Sequence, residues 1–203
     1  MSARRWVLAS GNDGKRRELE ALLAPLGIVL SAQSAWGLAG VPETGESFVE
    51  NALLKARAAA RATGLPAIGD DSGLIVDALD GAPGLRSARY AAESADDRAD
   101  DQANIDRLLA ALADTPVAQR CARFVCVLVV LGHAADPDPL VARGVWEGRI
   151  ATAPRGGSGF GYDPVFEIPG LGKTAAELPA AEKNRLSHRA RALGALRAQL
   201  ASR

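Results

Sequence analysis

Leu65-Pro66-Ala67-Ile68-Gly69-Asp70-Asp71-Ser72-Gly73-Leu74-Ile75-Val76 sets two adjacent carboxylates between two apolar runs. The apolar runs read as strand, so strands are expected to flank the acidic pair. A carboxylate in such surroundings is costly unless it is paired, hydrogen-bonded or bound to a metal. Adjacent strand residues point to opposite faces, so one of Asp70 and Asp71, not both, would face a given site. Chemistry on a phosphate needs such a group, to hold a divalent cation or to take a proton from water. The four residues Asp70 to Gly73 also suit a solvated turn opened by an Asx cap.

Outward from this stretch the chain alternates irregularly between strand and helix signals. Trp6 to Ala9 reads as a short buried strand and Ser10 to Gly14 as a polar turn. A helix is expected from about Lys15, with Leu19, Leu22, Leu23 and Leu26 on one face, ending at Pro25 and Gly27. Ile28 to Leu30 is a second strand. Ser47-Phe48-Val49-Glu50 has the capping-box pattern, which predicts a helix to about Thr63 closed by Gly64 and Pro66. Gly81 to Gly84 is a turn, and a third helix carries Ile105, Leu108, Leu109 and Leu112. Arg120 to Gly132 and Leu140 to Ile150 read as an antiparallel pair joined around Asp136-Pro137-Asp138-Pro139. Gly156 to Gly159 opens a flexible loop, Val165 to Ile168 is another strand, and a last helix carries Ala190, Leu193, Leu196 and Leu200. The class is mixed α/β, without the regular alternation of a doubly wound sheet.

Bulk properties narrow the function. A chain of 203 residues is one large domain or two small lobes. Its formal net charge of +0 argues against a broad footprint for a nucleic acid polymer or an acidic membrane. The longest apolar run, Phe124 to Leu131, is far short of the roughly 20 residues that span a bilayer. Cys121 and Cys126 lie in one strand-like run, and five residues of strand cover roughly 16 Å, whereas a disulfide needs Cα atoms within about 7 Å. Free, buried thiols and the lack of a secretory pattern at the start fit a cytoplasmic location.

Ser10-Gly11-Asn12-Asp13-Gly14-Lys15 joins a strand to a helix. Backbone N–H groups at a helix start carry partial positive charge, and glycines let a phosphate approach closely. The stretch is not a Walker A loop, and a plain strand–helix connection reads the same way. Only four of the 24 Lys and Arg residues are lysines: Lys15, Lys55, Lys173 and Lys183. A retained lysine in such a chain hints at a site wanting a compact ammonium.

Together, Ser10-Gly11-Asn12-x-x-Lys15, Glu43-Thr44-Gly45, Phe48-x-Glu50-Asn51-Ala52-x-x-Lys55-Ala56, Asp70 to Gly73 and Ser158-Gly159-Phe160-Gly161-Tyr162-Asp163-Pro164 resemble the inosine triphosphate pyrophosphatase family. Lys173-Thr174-x-Ala176-Glu177-Leu178, Lys183 and Ser187-His188-Arg189 extend the resemblance. It covers nearly the whole chain. Ser10 stands where many members have Thr, and Tyr162 where some have Trp. The resemblance implies one catalytic domain over residues 1–203, an elongated mixed sheet with flanking helices forming two lobes around a central cleft, and a homodimer. It also implies Mg²⁺-dependent hydrolysis of the non-canonical purine triphosphates ITP, dITP and XTP to monophosphate and pyrophosphate. Related pyrophosphatases act on pyrimidine or other modified nucleotides; the Phe160-to-Asp163 and Ser187-to-Arg189 segments argue against that reading. A nucleotide-binding regulator without hydrolysis would lack Asp71 or Glu43, and both are present.

Asp71 is the expected catalytic base and a metal ligand, as the resemblance also implies, with Glu43 the second carboxylate on Mg²⁺. Asp70 would be structural. Ser10, Gly11, Asn12, Asp13, Gly14 and Lys15 are expected to hold the phosphates, with Lys55 and Ser72 nearby. Phe160, Gly161, Tyr162, Asp163, Lys183, His188 and Arg189 are expected at the base. An aromatic ring stacks on any purine, so choice needs hydrogen bonds. A donor such as Arg189 facing position 6 would donate to the carbonyl of hypoxanthine or xanthine and leave the amino group of adenine unpaired. His188 also reads as the first-turn residue of a helix capped by Ser187.

Overall fold

The computed structural model describes residues 4–92 and 99–202. Its strands are β1 (Arg4–Ala9), β2 (Ile28–Ala32), β3 (Ala67–Val76), β4 (Cys121–Leu131), β5 (Leu140–Ile150), β6 (Phe166–Ile168) and β7 (Lys173–Thr174). Its α-helices are α1 (Asp13–Leu23), α2 (Phe48–Thr63), α3 (Asp101–Ala111), α4 (Ala180–Leu186) and α5 (His188–Ala201). The seven strands form one mixed sheet in the order β2-β1-β3-β4-β5-β6-β7. β1 runs parallel to β2 and β3, whereas β5, β6 and β7 pair antiparallel. No helix among the described residues is long and apolar enough to cross a membrane.

The chain divides into two compact units. The first comprises residues 1–71, 126–144 and 188–203; the second comprises 72–125 and 145–187. In the first, strand alternation sorts side chains by face. Trp6, Leu8 and Ile68 pack with Leu19 and Leu23 of α1 and with Ala192, Leu193 and Leu196 of α5. Val7, Ala9 and Ala67 turn the other way, onto Ala59 and Ala60 of α2. In the second, Leu74, Ile105, Leu108, Trp146 and Phe166 share a core, with the Phe166 ring centroid 4.5 Å from Phe124 and 5.2 Å from Trp146.

The helix starts follow their caps. Asn12 caps α1, its side chain accepting from Lys15 N, so the helix begins two residues before Lys15. Ser47 caps α2 by accepting from Glu50 N, and Gly64 closes it in the left-handed region at φ +70°. α4 is an element the hydrophobic pattern does not reveal. Seven residues give too few repeats for an apolar face to show.

β3 departs from expectation most usefully. It is a single unbroken strand through Asp70 and Asp71, neither a turn nor two strands flanking one. Gly69 lets α2 lie against it: a Cβ there would stand 2.1 Å from the Ala52 carbonyl oxygen. Gly69→Ala is therefore expected to push α2 off the strand and destabilise the fold by about 1–3 kcal/mol. Urea unfolding checks it; a change under about 0.5 kcal/mol, the range of ordinary surface substitutions, would contradict the packing argument.

Candidate active site

Asp70 and Asp71 take opposite faces of β3, and each face supplies its own cations. Asp71 lies on the Gly69 side, facing α2. Its Oδ1 accepts from Lys55 Nζ at 2.7 Å, and the same nitrogen lies 2.6 Å from Glu43 Oε1. The loop carrying Glu43 is tied to α2. Gly45 N donates to the Asn51 side chain at 2.8 Å, and Glu46 N donates to Glu50 Oε2 at 2.7 Å. Burial pushes the Asp71 carboxyl above its ordinary pKa, and the Lys55 and Lys15 ammoniums only partly offset this. It is thereby a stronger base than a free aspartate. Burial would lower the Lys55 pKa, but Asp71 and Glu43 outweigh it and the net shift is upward.

Asp70 lies on the other face, fully buried. Lys15 Nζ is 2.7 Å from its Oδ1, Arg189 Nε donates to its Oδ2 at 2.7 Å, and the Cys126 thiol donates to Oδ2 at 3.6 Å. Arg189 NH1 also pairs with Glu18. Burial would raise the Asp70 pKa, but Arg189 and Lys15 reverse this and hold it well below the usual carboxylate range. Burial, followed by the Asp70 charge, raises the Cys126 thiol. Cys121, by contrast, is exposed, since it opens β4 where the strand is uncovered.

The α1 start has the form of a phosphate site. Asn12 N donates to Ser10 Oγ at 3.2 Å and shapes the turn after β1. Asn12 Oδ1 takes the Lys15 amide, so the amides of Asp13 and Gly14 are the helix-start donors a phosphate would meet. Gly11 is exposed beside them. The Asp13 side chain is turned to solvent, 81% exposed and paired with Arg16, so only its backbone suits an anion.

In the second unit Ser72 follows the acidic pair on β3, half-buried. Asp163 Oδ2 there accepts from Phe160 N at 2.9 Å and from Lys183 Nζ at 2.6 Å. Lys183 Nζ also lies 4.8 Å from the centre of the half-buried Phe160 ring. These three residues meet as the sequence suggests.

Two expected base contacts are otherwise employed. Tyr162 is 4% exposed within the core, and its hydroxyl donates to Ser87 O at 2.8 Å. Its position inside a packed cluster rules out stacking on a ligand. Arg189 is 1% exposed with its guanidinium on Asp70 and Glu18, so it is a buried counter-cation and not a donor offered to a base. His188 is buried as the first residue of α5. Sequence reasoning missed Glu18, whose partner Arg189 lies far along the chain; its one local signal is the spacing Lys15-x-x-Glu18, which puts it on the Lys15 side of α1.

Mg²⁺ takes hard oxygen ligands at about 2.1 Å, so two of them lie within about 4.2 Å of each other. Glu43 Oε1 and Asp71 Oδ1, each bonded to Lys55 Nζ, are at most 5.3 Å apart, the sum of the two distances. A small side-chain movement brings them into range, and the donor set suits the ion. No cluster of three or more His, Cys, Asp or Glu suited to a metal occurs among the described residues. Waters and substrate oxygens would complete the shell, as Mg²⁺ prefers.

A mixed sheet with a phosphate-type helix start beside a carboxylate–lysine–carboxylate cluster now has its family context. The chain belongs to the Ham1 family, matching it along residues 6–199. It is 58% identical over 187 residues to a dITP/XTP pyrophosphatase of Yersinia pseudotuberculosis, covering 92% of this chain and 93% of the relative. It is 58% identical over 194 residues to a dITP/XTP pyrophosphatase of Xanthomonas campestris, covering 96% of each. Among solved structures, a HAM1 protein from Coxiella burnetii superposes with a TM-score of 0.88 at 46% identity, covering 98% of this chain and all of that one.

Proposed function

We propose that this protein hydrolyses ITP, dITP and XTP between the α and β phosphates, releasing the monophosphate and pyrophosphate and clearing these nucleotides from the pool. The observation that carries the reading is the Glu43–Lys55–Asp71 cluster, in a chain 58% identical to relatives named for that activity.

The roles follow from the chemistry of each group. The turn from Ser10 to Gly14 and the Lys15 ammonium hold the phosphate tail, with Ser72 adding a hydroxyl donor. Asp71, its basicity raised by burial, takes the proton of the attacking water. Lys55 offsets the negative charge of the two carboxylates and of the phosphates. Glu43 and Asp71 would hold Mg²⁺, which would supply positive charge to offset that developing on the phosphoryl oxygens. The purine is assigned to Phe160, which stacks, and to Lys183, whose ammonium has only donors. It meets a 6-carbonyl and finds no acceptor in the 6-amino group of adenine. A homodimer in the cytoplasm belongs to the same reading.

The products decide it. ITP is expected to yield IMP and pyrophosphate by anion-exchange chromatography, and chelation of Mg²⁺ is expected to abolish turnover. IDP with orthophosphate would overturn the α–β assignment, and full activity in excess chelator would remove the metal role of Glu43 and Asp71.

A further inference from the structure

Two successive amides in the loop before β6 each end on a carboxylate oxygen. Asp163 Oδ2 accepts from Phe160 N at 2.9 Å, and Asp101 Oδ2 accepts from Gly161 N at 2.6 Å. Asp163 lies within the loop, whereas Asp101 lies sixty residues earlier. It is the first residue of α3, directly after the capping residue Asp100, whose own side chain accepts from Ala103 N at 2.6 Å. Helix capping therefore falls to Asp100, and the Asp101 carboxylate is turned to the loop.

The loop needs such a hold. Gly159 and Gly161, on either side of Phe160, have φ of +86° and +60°, where glycine is as free as in any other conformation. The backbone alone does not fix the direction of the Phe160 ring. Asp163 secures one side of the residue and also carries Lys183, so the ring, the ammonium and the loop amides form one connected group. Lys183 ties this group to α4, and Asp101 ties its other side to α3.

We infer that Asp101 is a positioning residue for purine recognition, holding the Phe160 peptide so that its ring and the Lys183 ammonium present a preset surface to the base. The inference rests on the assignment of the base to Phe160 and Lys183. A charge-assisted hydrogen bond to a backbone amide is among the stronger kinds, so its loss frees the loop at a cost the base must then meet on binding.

The test uses the full chain with Mg²⁺ and ITP, comparing wild type with Asp101→Ala and Asp101→Asn. Asp101→Ala is expected to raise KM for ITP about fivefold, the size of one lost hydrogen bond, with kcat within about twofold. Inhibition by inorganic tripolyphosphate, which has a tail and no base, is expected to stay unchanged. Asp101→Asn keeps an acceptor oxygen and is expected to restore KM, although it removes the same charge from the start of α3. Equal KM in wild type and Asp101→Ala, equal weakening of ITP and tripolyphosphate, or an Asn variant as impaired as Ala would each overturn the inference. Wild type that leaves ITP intact would overturn the base assignment and this inference with it. ITP hydrolysed with an unchanged Asp101→Ala KM overturns this inference alone.

Discussion

Asp71→Asn is expected to lower kcat for ITP at least ~10²-fold, at saturating Mg²⁺, while the fold stays intact. Asparagine keeps the size of the side chain and an oxygen for Lys55, which retains Glu43 as a partner at 2.6 Å. It removes the charge proposed to bind metal and the basicity proposed to accept a proton. The loss should fall on kcat more than on KM, because the phosphate tail is assigned to the Ser10–Lys15 turn. Circular dichroism and the thermal midpoint should match wild type. Near-normal turnover by this variant would show that the catalytic carboxylate has been misassigned.

Arg189→Met is expected to destabilise the protein by about 3–5 kcal/mol, read from urea unfolding, because it removes the buried guanidinium shared by two buried carboxylates and leaves Asp70 to Lys15. Asp70 is 0% and Glu18 9% exposed, and Arg189 bridges them from α5. Methionine replaces much of the volume but none of the charge, so the loss is electrostatic and not a cavity effect. Arg16→Met makes the contrast. Its partners Asp13 and Glu20 are 81% and 38% exposed at the side chain, and surface pairs of this kind contribute about 0–1 kcal/mol. Similar small losses in both variants would mean that the buried bridge does not hold the unit together.

Local patterns carried much of this architecture. The Ser47 cap, the Gly64 stop and the small residues between them set α2 without help from distant contacts. The paired strands β4 and β5 were equally plain, with a Pro-containing turn between alternating or continuous apolar runs. The unbroken course of β3 was not. Two adjacent acids suit a turn as well as a strand until their partners are known, and those partners, Lys55 and Arg189, lie 16 and 119 residues away from the acids they bind. The roles at the site divide similarly. Lys15, Glu43, Lys55 and Asp71 stood out by residue type and neighbourhood. Arg189 and Tyr162 were legible as important side chains, but their direction, inward, depended on packing that no local pattern encodes. Glu18 looked like an ordinary helix residue because its meaning comes from an arginine 171 positions later.

That last separation has a consequence for how the protein is made. A ribosome emits Glu18 and Asp70 long before Arg189, and at roughly 5–20 residues per second the interval between Asp70 and Arg189 lasts about 6–24 seconds. Throughout it, the nascent chain holds two acids without the arginine that bridges them, although Lys15 is already present for Asp70. Closing β3 against α1 before α5 arrives would leave Asp70 with Lys15 but neither acid with the guanidinium that joins them. The first unit must therefore complete its core after synthesis is nearly over, whereas residues 72–125 and 145–187 of the second have all emerged before α5 does. A chain stalled or cut short of Arg189 would leave the second unit with all its residues and the first without the bridge between Glu18 and Asp70.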